Sequence, residues 1–161
     1  MVDEFRPASV RRVVLVDARD ERRELMKRVV EGDDAVAILV GEAGTRATAL
    51  AIVAEQRADS VVLDVQMPIA EGLATIRALR ERYPHLGIVV CSFDLDRATL
   101  QRVLAEGADA CLAKPVNRRN ILTALAAGDS RRGLTLAEWA GSRVQTDVAD
   151  PGNERSILGV R

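Results

Sequence analysis

Five short apolar runs, separated by stretches of helical periodicity, are the feature that most constrains the fold of this chain. The runs occupy residues 13–16, 36–40, 61–63, 88–91 and 110–113. Each run is continuously apolar rather than alternating, which is typical of strands buried on both faces of a parallel sheet. The strict alternation of runs and helical stretches therefore predicts an α/β fold with right-handed crossovers.

The stretches between the runs carry apolar residues at helical spacing. In the first, Leu25, Met26, Val29 and Val30 are expected to share one face. Thr45 is expected to cap the second helix. Five strands and five helices fit a flavodoxin-like, doubly wound parallel sheet with strand order 2-1-3-4-5. The predicted helices span residues 20–31, 46–56, 72–82, 94–106 and 118–127.

The pattern divides the chain into three parts. Residues 1–10 are a polar lead-in, residues 11–128 form the α/β domain, and residues 129–161 form a C-terminal extension. Within the extension, a capping-box pattern predicts a short helix at about 135–143, followed by a flexible end.

Charge and composition argue against several classes of function. The net charge is −1 and no run of basic residues occurs, so a nucleic-acid partner is not expected. No apolar run approaches the length of a membrane span, and we expect a cytoplasmic protein that does not bind membranes. His85 is the only histidine, which disfavours a Ser-His-Asp triad or a histidine phosphorelay site. Cys91 and Cys111 are too few for a metal set and are expected to be buried hydrophobes.

Polar side chains stand at the ends of four strands: Asp17, Asp64, Ser92 and Lys114. In a parallel sheet of this order the ends of strands 1 and 3 adjoin, so Asp17 and Asp64 should lie side by side. Paired carboxylates suit Mg²⁺, and a hydroxyl with an ammonium suits an anion placed on one of those carboxylates. On the residues alone, Asp64 could be a nucleophile, a metal ligand or a loop cap; together the four indicate phosphoryl chemistry.

At these motifs the chain resembles the receiver domains of two-component response regulators, over about residues 10 to 127. Val40-Gly41-Glu42-Ala43 further resembles the branch that usually carries a LuxR-type DNA-binding domain. The motifs that match in order are Val13-Val14-Leu15-Val16-Asp17, Val61-Val62-Leu63-Asp64-Val65-Gln66-Met67-Pro68, Val89-Val90-Cys91-Ser92 and Gly107-Ala108-Asp109-Ala110-Cys111-Leu112-Ala113-Lys114-Pro115.

The resemblance implies a role for each site residue. Asp64 would be the phosphoacceptor, and Asp17, Asp64 and the backbone carbonyl of Gln66 would hold Mg²⁺. Ser92 and Lys114 would bind the phosphoryl oxygens, and the Lys114–Pro115 peptide would be cis. Phosphorylation would draw Ser92 inward and shift the face made by the fourth helix, fifth strand and fifth helix.

Three positions depart from the pattern of that family. Ala18 stands where a second acid, usually the direct metal ligand, is common, so Mg²⁺ is expected to bind weakly. Phe93 stands where a small residue is usual, and it is expected to crowd access to Asp64. Cys111 stands at the switch position, which is commonly aromatic, so the output needs a different lever.

Two functions remain open from the sequence. The first is a non-enzymatic response regulator that takes a phosphoryl group on Asp64 from a histidine kinase or phosphotransfer protein. It would signal through a downstream protein, with no DNA-binding domain; whether it forms a homodimer is left open. The second is a phosphorylation-independent pseudo-receiver scaffold, which Ala18 favours. A phosphatase of the haloacid-dehalogenase kind is disfavoured, because Gln66 replaces the acid which that class places two residues after its nucleophile.

Overall fold

The structure is a computed structural model that describes residues 10–33, 36–129 and 157–158. The lead-in at residues 1–9 and the helix predicted at 135–143 lie outside the described residues. The strands are β1 (Arg11–Val16), β2 (Ala37–Ala43), β3 (Ser60–Asp64), β4 (Gly87–Ser92), β5 (Ala110–Ala113) and β6 (Ile157–Leu158). The helices are α1 (Asp20–Val30), α2 (Arg46–Glu55), α3 (Ile69–Arg82), α4 (Arg97–Glu106) and α5 (Arg118–Asp129).

The first five strands form a parallel sheet in the order β2-β1-β3-β4-β5, which confirms the predicted flavodoxin-like topology. All residues of β3 and β4 are buried, because both strands lie inside the sheet with helices on each face. β6 is an addition at the outer edge of β5, to which it pairs antiparallel. Its two residues belong to the segment expected to be flexible. The open backbone groups of the β5 edge give an apolar Ile-Leu pair a hydrogen-bonding partner.

The two faces of the sheet carry separate apolar cores. One core joins the sheet to α2, α3 and α4 and includes Val53, Ile76 and Val103. The other joins the sheet to α1 and α5 and includes Val30 and Ile121. Helices therefore cover both faces, as a doubly wound sheet requires.

Local chemistry sets several helix ends. Thr45 caps α2 as predicted, its side chain accepting the N–H of Thr48 at 3.2 Å. Asp96 caps α4 by accepting the N–H of Thr99 at 2.7 Å, so α4 begins at Arg97 rather than at residue 94. Gly107 ends α4 with φ of 121°, a backbone conformation that residues with a Cβ rarely adopt.

The predicted apolar face of α1 is wrong at one position. Leu25 is 64% exposed, whereas Val30 is buried. A helix turns 100° per residue, so Leu25 and Val30 cannot face the sheet equally across this stretch. None of the helices in the described part of the chain has the length and apolarity that a membrane crossing requires.

Cys91 and Cys111 are both buried free thiols, as predicted. In the register of β4 and β5, Cys91 faces Leu112 and Cys111 faces Val90. This offset of one residue places the two thiols in different cores, on opposite faces of the sheet.

Candidate functional site

The carboxyl ends of β1, β3, β4 and β5 meet at one edge of the sheet. Val16 pairs with Leu63 and Ser92 pairs with Ala113. Asp17 and Lys114 directly follow β1 and β5, and Asp64 is the last residue of β3, where it pairs with Cys91. Asp17, Asp64 and Lys114 line one small cavity at this edge. Asp17 and Asp64, which were expected to lie side by side at the ends of strands 1 and 3, thus line the same cavity, and Lys114 lines it with them.

Both acids at this edge organise their own loops. Asp17 Oδ1 accepts the N–H of Arg19 at 2.9 Å, and Asp64 Oδ1 accepts the N–H of Gln66 at 2.8 Å. Each is a bond from residue i+2 to the carboxylate of residue i, which is how aspartate shapes a turn. One oxygen of each acid is thereby held by backbone, and for Asp64 this leaves Oδ2 toward the other side chains.

Two cations converge on Asp64 Oδ2. Lys114 Nζ lies 2.5 Å from this oxygen, and Arg22 Nη1 lies 3.4 Å from it. The Asp64 and Lys114 side chains are 5% and 7% exposed, and the Arg22 side chain is 25% exposed. The carboxylate is therefore flanked by two positive charges in a largely dry environment, where a charge pair is stronger than in water.

Arg22 is the site residue that sequence reasoning missed. It lies in the first turn of α1, which begins at Asp20, shortly after β1 ends. The available signal was the position of that turn: the N-terminus of a helix that follows β1 must lie next to the edge where Asp17 and Asp64 lie. Asp20, by contrast, is 88% exposed and pairs with Arg23.

Asp17 is buried, and this has an electrostatic consequence. Burial raises the pKa of its carboxyl above the usual range, the N–H bond from Arg19 acts in the opposite direction, and the nearby carboxylate of Asp64 raises it further. The carbonyl oxygen of Asp17 accepts a bond from Arg23 Nη1 at 2.6 Å. Asp17 therefore contributes its negative charge to the cavity at a free-energy cost.

Ser92 supplies a hydroxyl that is buried and unused. Its residue is 0% exposed, and its Oγ has no hydrogen-bond partner among the described residues. Its backbone carbonyl accepts the N–H of Lys114 at 2.8 Å, which ties the ends of β4 and β5 together. Buried hydroxyls are rarely left unpaired, so this Oγ is suited to an additional acceptor at the site.

Phe93 lies over the cations. Its ring centroid is 5.2 Å from Lys114 Nζ and 6.0 Å from Arg22 Cζ, and the residue is 61% exposed. Gln66, whose backbone carbonyl was the third predicted metal ligand, uses its side chain to donate to Asp94 at 3.0 Å. Cys111, the altered switch position, is fully buried in the core beneath α4.

The donor atoms do not fit a tightly bound metal ion. Ala18 is exposed and has no ligand atom. Across residues 10–33 and 36–129, no three histidine, cysteine or acidic side chains are grouped as a metal site needs. Asp17 and Asp64 supply two carboxylates, but Asp64 is already shared by Lys114 and Arg22. Mg²⁺ prefers oxygen ligands in near-octahedral geometry, and these residues offer it few.

Comparisons with known proteins bear on the family of this chain. The family model of the response regulator receiver domain, a domain that generally binds Mg²⁺ at its acidic site, matches residues 13–126. The DNA-binding transcriptional activator DevR/DosR of Mycobacterium tuberculosis is 31% identical over 160 residues, which cover 92% of this chain and 73% of that protein. A protein-glutamate methylesterase/protein-glutamine glutaminase of Anaeromyxobacter dehalogenans is 36% identical over 135 residues, covering 83% of this chain but 38% of the enzyme.

The chain spans only 29 to 38% of the length of the first three curated relatives, which are all such methylesterases. Among solved structures, a LuxR-family response regulator from Aurantimonas sp. SI85-9A1 aligns with a TM-score of 0.68 at 23% identity, over 83% of this chain and 94% of that one. The receiver domain of RcsB from Salmonella enterica aligns with a TM-score of 0.64 at 19% identity, over 81% and 96%. The chain belongs to the family of response regulator receiver domains.

Proposed function

We propose that this receiver accepts a phosphoryl group on Asp64 from a cytoplasmic histidine kinase or phosphotransfer protein, and signals through contacts with a downstream protein. The observation that carries the proposal is the ion pair of 2.5 Å between Lys114 Nζ and Asp64 Oδ2. The unpaired hydroxyl of Ser92 belongs to the adjacent strand β4, one residue beyond the β-sheet partner of Asp64. A cation on a buried carboxylate and an unpaired donor at the end of the adjacent strand provide what a phosphorylated aspartate needs.

The chemistry requires little beyond placement and charge. An oxygen of the Asp64 carboxylate attacks phosphorus in line, and the bond from phosphorus to the donor breaks with its electron pair leaving on the donor. Lys114 pairs with the new phosphoryl oxygens, and the Ser92 hydroxyl donates to one of them. Because Asp64 gains a dianionic group, charge-assisted bonds replace the present ion pair.

The signal is expected to pass through β5. Lys114 follows β5 directly, and its backbone N–H is bonded to the carbonyl of Ser92. A shift of Lys114 toward the phosphoryl group would therefore move the ends of β4 and β5 together, and with them the face formed by α4, β5 and α5. Cys111 replaces the usual aromatic lever, so this coupled backbone movement is the proposed means of output.

The metal site predicted at Asp17, Asp64 and the Gln66 carbonyl stays a prediction of weak Mg²⁺ binding. When bound, the ion would neutralise phosphoryl oxygens. Asp17 would be its main protein ligand, since Asp64 is shared with two cations.

A second candidate, the pseudo-receiver scaffold, is favoured by a specific observation. Two cations already neutralise Asp64 in the unphosphorylated protein, so the carboxylate has a structural role without a phosphoryl group. In that function the same fold would bind a partner regardless of kinase activity.

The two functions are separated by intact-mass measurement after incubation with acetyl phosphate. If Asp64 accepts a phosphoryl group, the mass of the protein should increase by one phosphoryl group and then return slowly to the unmodified value. Asp64→Asn should show no increase. If the mass does not increase with Mg²⁺ or with a chelator, the scaffold function would be supported. Ala18→Asp should strengthen Mg²⁺ binding in calorimetry if the missing acid limits the affinity.

A further inference from the structure

We propose that the guanidinium of Arg22 supplies the positive charge that a divalent ion would bring to Asp64, so that the phosphoryl group is accepted without a metal. This inference rests on the proposed function, because it concerns how the same aspartate is used. It makes Arg22 a phosphoryl-binding residue of the site.

The position of Arg22 next to Asp64 is the first observation that supports the proposal. Its Nη1 atom lies 3.4 Å from the same Asp64 oxygen that Lys114 contacts. The side chain is three-quarters withdrawn from water, which strengthens its interaction with an anion. Guanidinium groups are planar forks that pair with two phosphate oxygens at once, whereas an ammonium acts as a point charge. Arg22 and Lys114 together can thus neutralise a dianionic phosphoryl group.

The absence of an acid at Ala18 also supports the proposal. Ala18, four residues before Arg22, has no donor atom, so nothing at that position draws a cation into the cavity or competes for the guanidinium. An arriving metal ion would also meet Arg22 and Lys114 on the carboxylate it needs. The same arginine that fits a phosphoryl group therefore disfavours a divalent ion at Asp64.

Phe93 holds the two cations of the site in place. Its ring lies 6.0 Å from Arg22 Cζ and 5.2 Å from Lys114 Nζ, within reach of cation–π attraction. A small side chain at residue 93 would leave the Arg22 guanidinium free to swing into solvent. We therefore assign Phe93 as a positioning residue that holds the Arg22 guanidinium. The two departures from the family pattern then belong together: Ala18 removes a metal ligand, and Phe93 holds the arginine that replaces the metal charge.

The step balances without a metal or a proton. An oxygen of Asp64 forms a bond to the phosphorus of acetyl phosphate, the bond between phosphorus and the acetyl oxygen breaks, and its electron pair leaves with acetate. The single charge of the carboxylate and the two charges of acetyl phosphate end as a dianionic acyl phosphate plus acetate. Arg22 and Lys114 bind charge throughout, which is electrostatic stabilisation by preorganised groups.

The test measures the labelling rate of the full chain by acetyl phosphate, read by intact mass, in excess EDTA and in millimolar Mg²⁺. Wild type is expected to label at the same rate in both. Arg22→Ala should slow labelling in EDTA by roughly 100-fold, and Arg22→Lys should recover part of the rate. Arg28→Ala is the matched control, an exposed arginine of the same helix, and should label like wild type.

A charge exchange completes the test. The double variant Ala18→Asp/Arg22→Ala should label with Mg²⁺ and not with EDTA, because it replaces the resident cation by a metal ligand. Circular dichroism of each variant confirms folding. Labelling of wild type only with Mg²⁺, or unchanged labelling of Arg22→Ala in EDTA, would overturn the role of Arg22 and leave the proposed function standing. No labelling of wild type or of the double variant in any condition would overturn both.

Discussion

The guanidinium of Arg80 and the carboxylate of Asp109 form a buried ion pair, with Nη2 and Oδ2 3.0 Å apart. Arg80 also donates to the backbone carbonyls of Gly107 and Leu86, at 2.9 and 2.7 Å. Asp109 accepts the N–H of Ile88 at 2.8 Å. The pair thereby joins the end of α3, the start of β4 and the turn before β5, at the end of the sheet opposite Asp64.

Removing one partner of this pair should destabilise the protein strongly. Asp109→Ala leaves the Arg80 charge buried and the Ile88 N–H unpaired, which is expected to lower the free energy of unfolding by about 3–5 kcal/mol. Urea unfolding measures the loss. Arg77→Ala is the control, because Arg77 lies on the same helix as Arg80 and pairs with Glu106 of α4, but is 62% exposed. Its effect on the free energy of unfolding should be much smaller. Equal losses for the two variants would contradict the argument.

Ser92→Ala should separate stability from function. The Ser92 hydroxyl is buried without a partner in the described residues, so its removal is expected to raise the free energy of unfolding by roughly 1 kcal/mol. The same variant should accept the phosphoryl group more slowly, because one donor to the phosphoryl oxygens is gone. Ser92→Thr keeps the hydroxyl and serves as the control for acceptance. A destabilised Ser92→Ala would mean that the hydroxyl already has a partner.

Phe93→Ala should shorten the lifetime of the phosphorylated state. The ring covers Lys114 and Arg22 on the solvent side, and removing it admits water to a reactive acyl phosphate. We expect hydrolysis to quicken by several-fold, followed as the return to unmodified mass after acetyl phosphate is removed. Phe93→Tyr keeps the ring and should retain the wild-type lifetime. An unchanged lifetime in Phe93→Ala would show that the ring does not shield the site.

Stability should fall at alkaline pH because of the buried thiols. Burial raises the pKa of Cys91 to about 12, whereas a thiol in an unfolded chain titrates near 8.5. Below pH about 8.5 the buried thiol makes its full contribution to the free energy of unfolding. Above it the unfolded state loses a proton that the native state keeps, so the free energy of unfolding falls by about 1.4 kcal/mol per pH unit for each such thiol.

Cys91→Ala isolates this contribution. Its urea unfolding measured at pH 9 and pH 10.5 should show a shallower decline than that of wild type, by about 1 kcal/mol per pH unit. Between pH 6 and pH 7.5 the two proteins should change in parallel, which is the internal control. A decline of identical steepness in the alkaline range would rule out Cys91 as its source.

Gly72→Ala sets two effects against each other. Alanine in a helix is favoured over glycine by about 1 kcal/mol, but a Cβ at Gly72 would lie 2.2 Å from the backbone carbonyl oxygen of Val65. Backbone yields poorly, so a net loss of about 1–2 kcal/mol is expected. Because Val65 follows Asp64, phosphoryl acceptance should decline as well.

Gly41→Ala is the matched control for that clash. A Cβ there would lie 2.4 Å from Ile52 Cδ1, the end of a flexible side chain that can turn away. Thermal unfolding should rank Gly41→Ala as the milder substitution. The reverse order would show that the loop carrying Val65 moves freely.

The sequence predicts the strands and the four polar residues at their ends because each depends on a local pattern. The strand order 2-1-3-4-5 follows from no local pattern and rests on its fit to five alternating strands and helices. A continuous apolar run identifies a buried strand, and the position directly after it is fixed by geometry. Arg22 and Arg80 escape this reasoning. Both are charged residues in amphipathic helices, where a solvent-exposed position is the usual one, and only the packing of each helix shows that the guanidinium turns toward Asp64 or Asp109.

The pairing of Ile157–Leu158 with β5 has a consequence for assembly. A parallel sheet of this order has two outer strands, β2 and β5, whose free backbone groups invite another chain to add a strand. The chain's own residues occupy part of the β5 border, pairing with Cys111 and Leu112. Strand addition by another chain is therefore blocked along that part of β5, which lowers the tendency of this edge to aggregate.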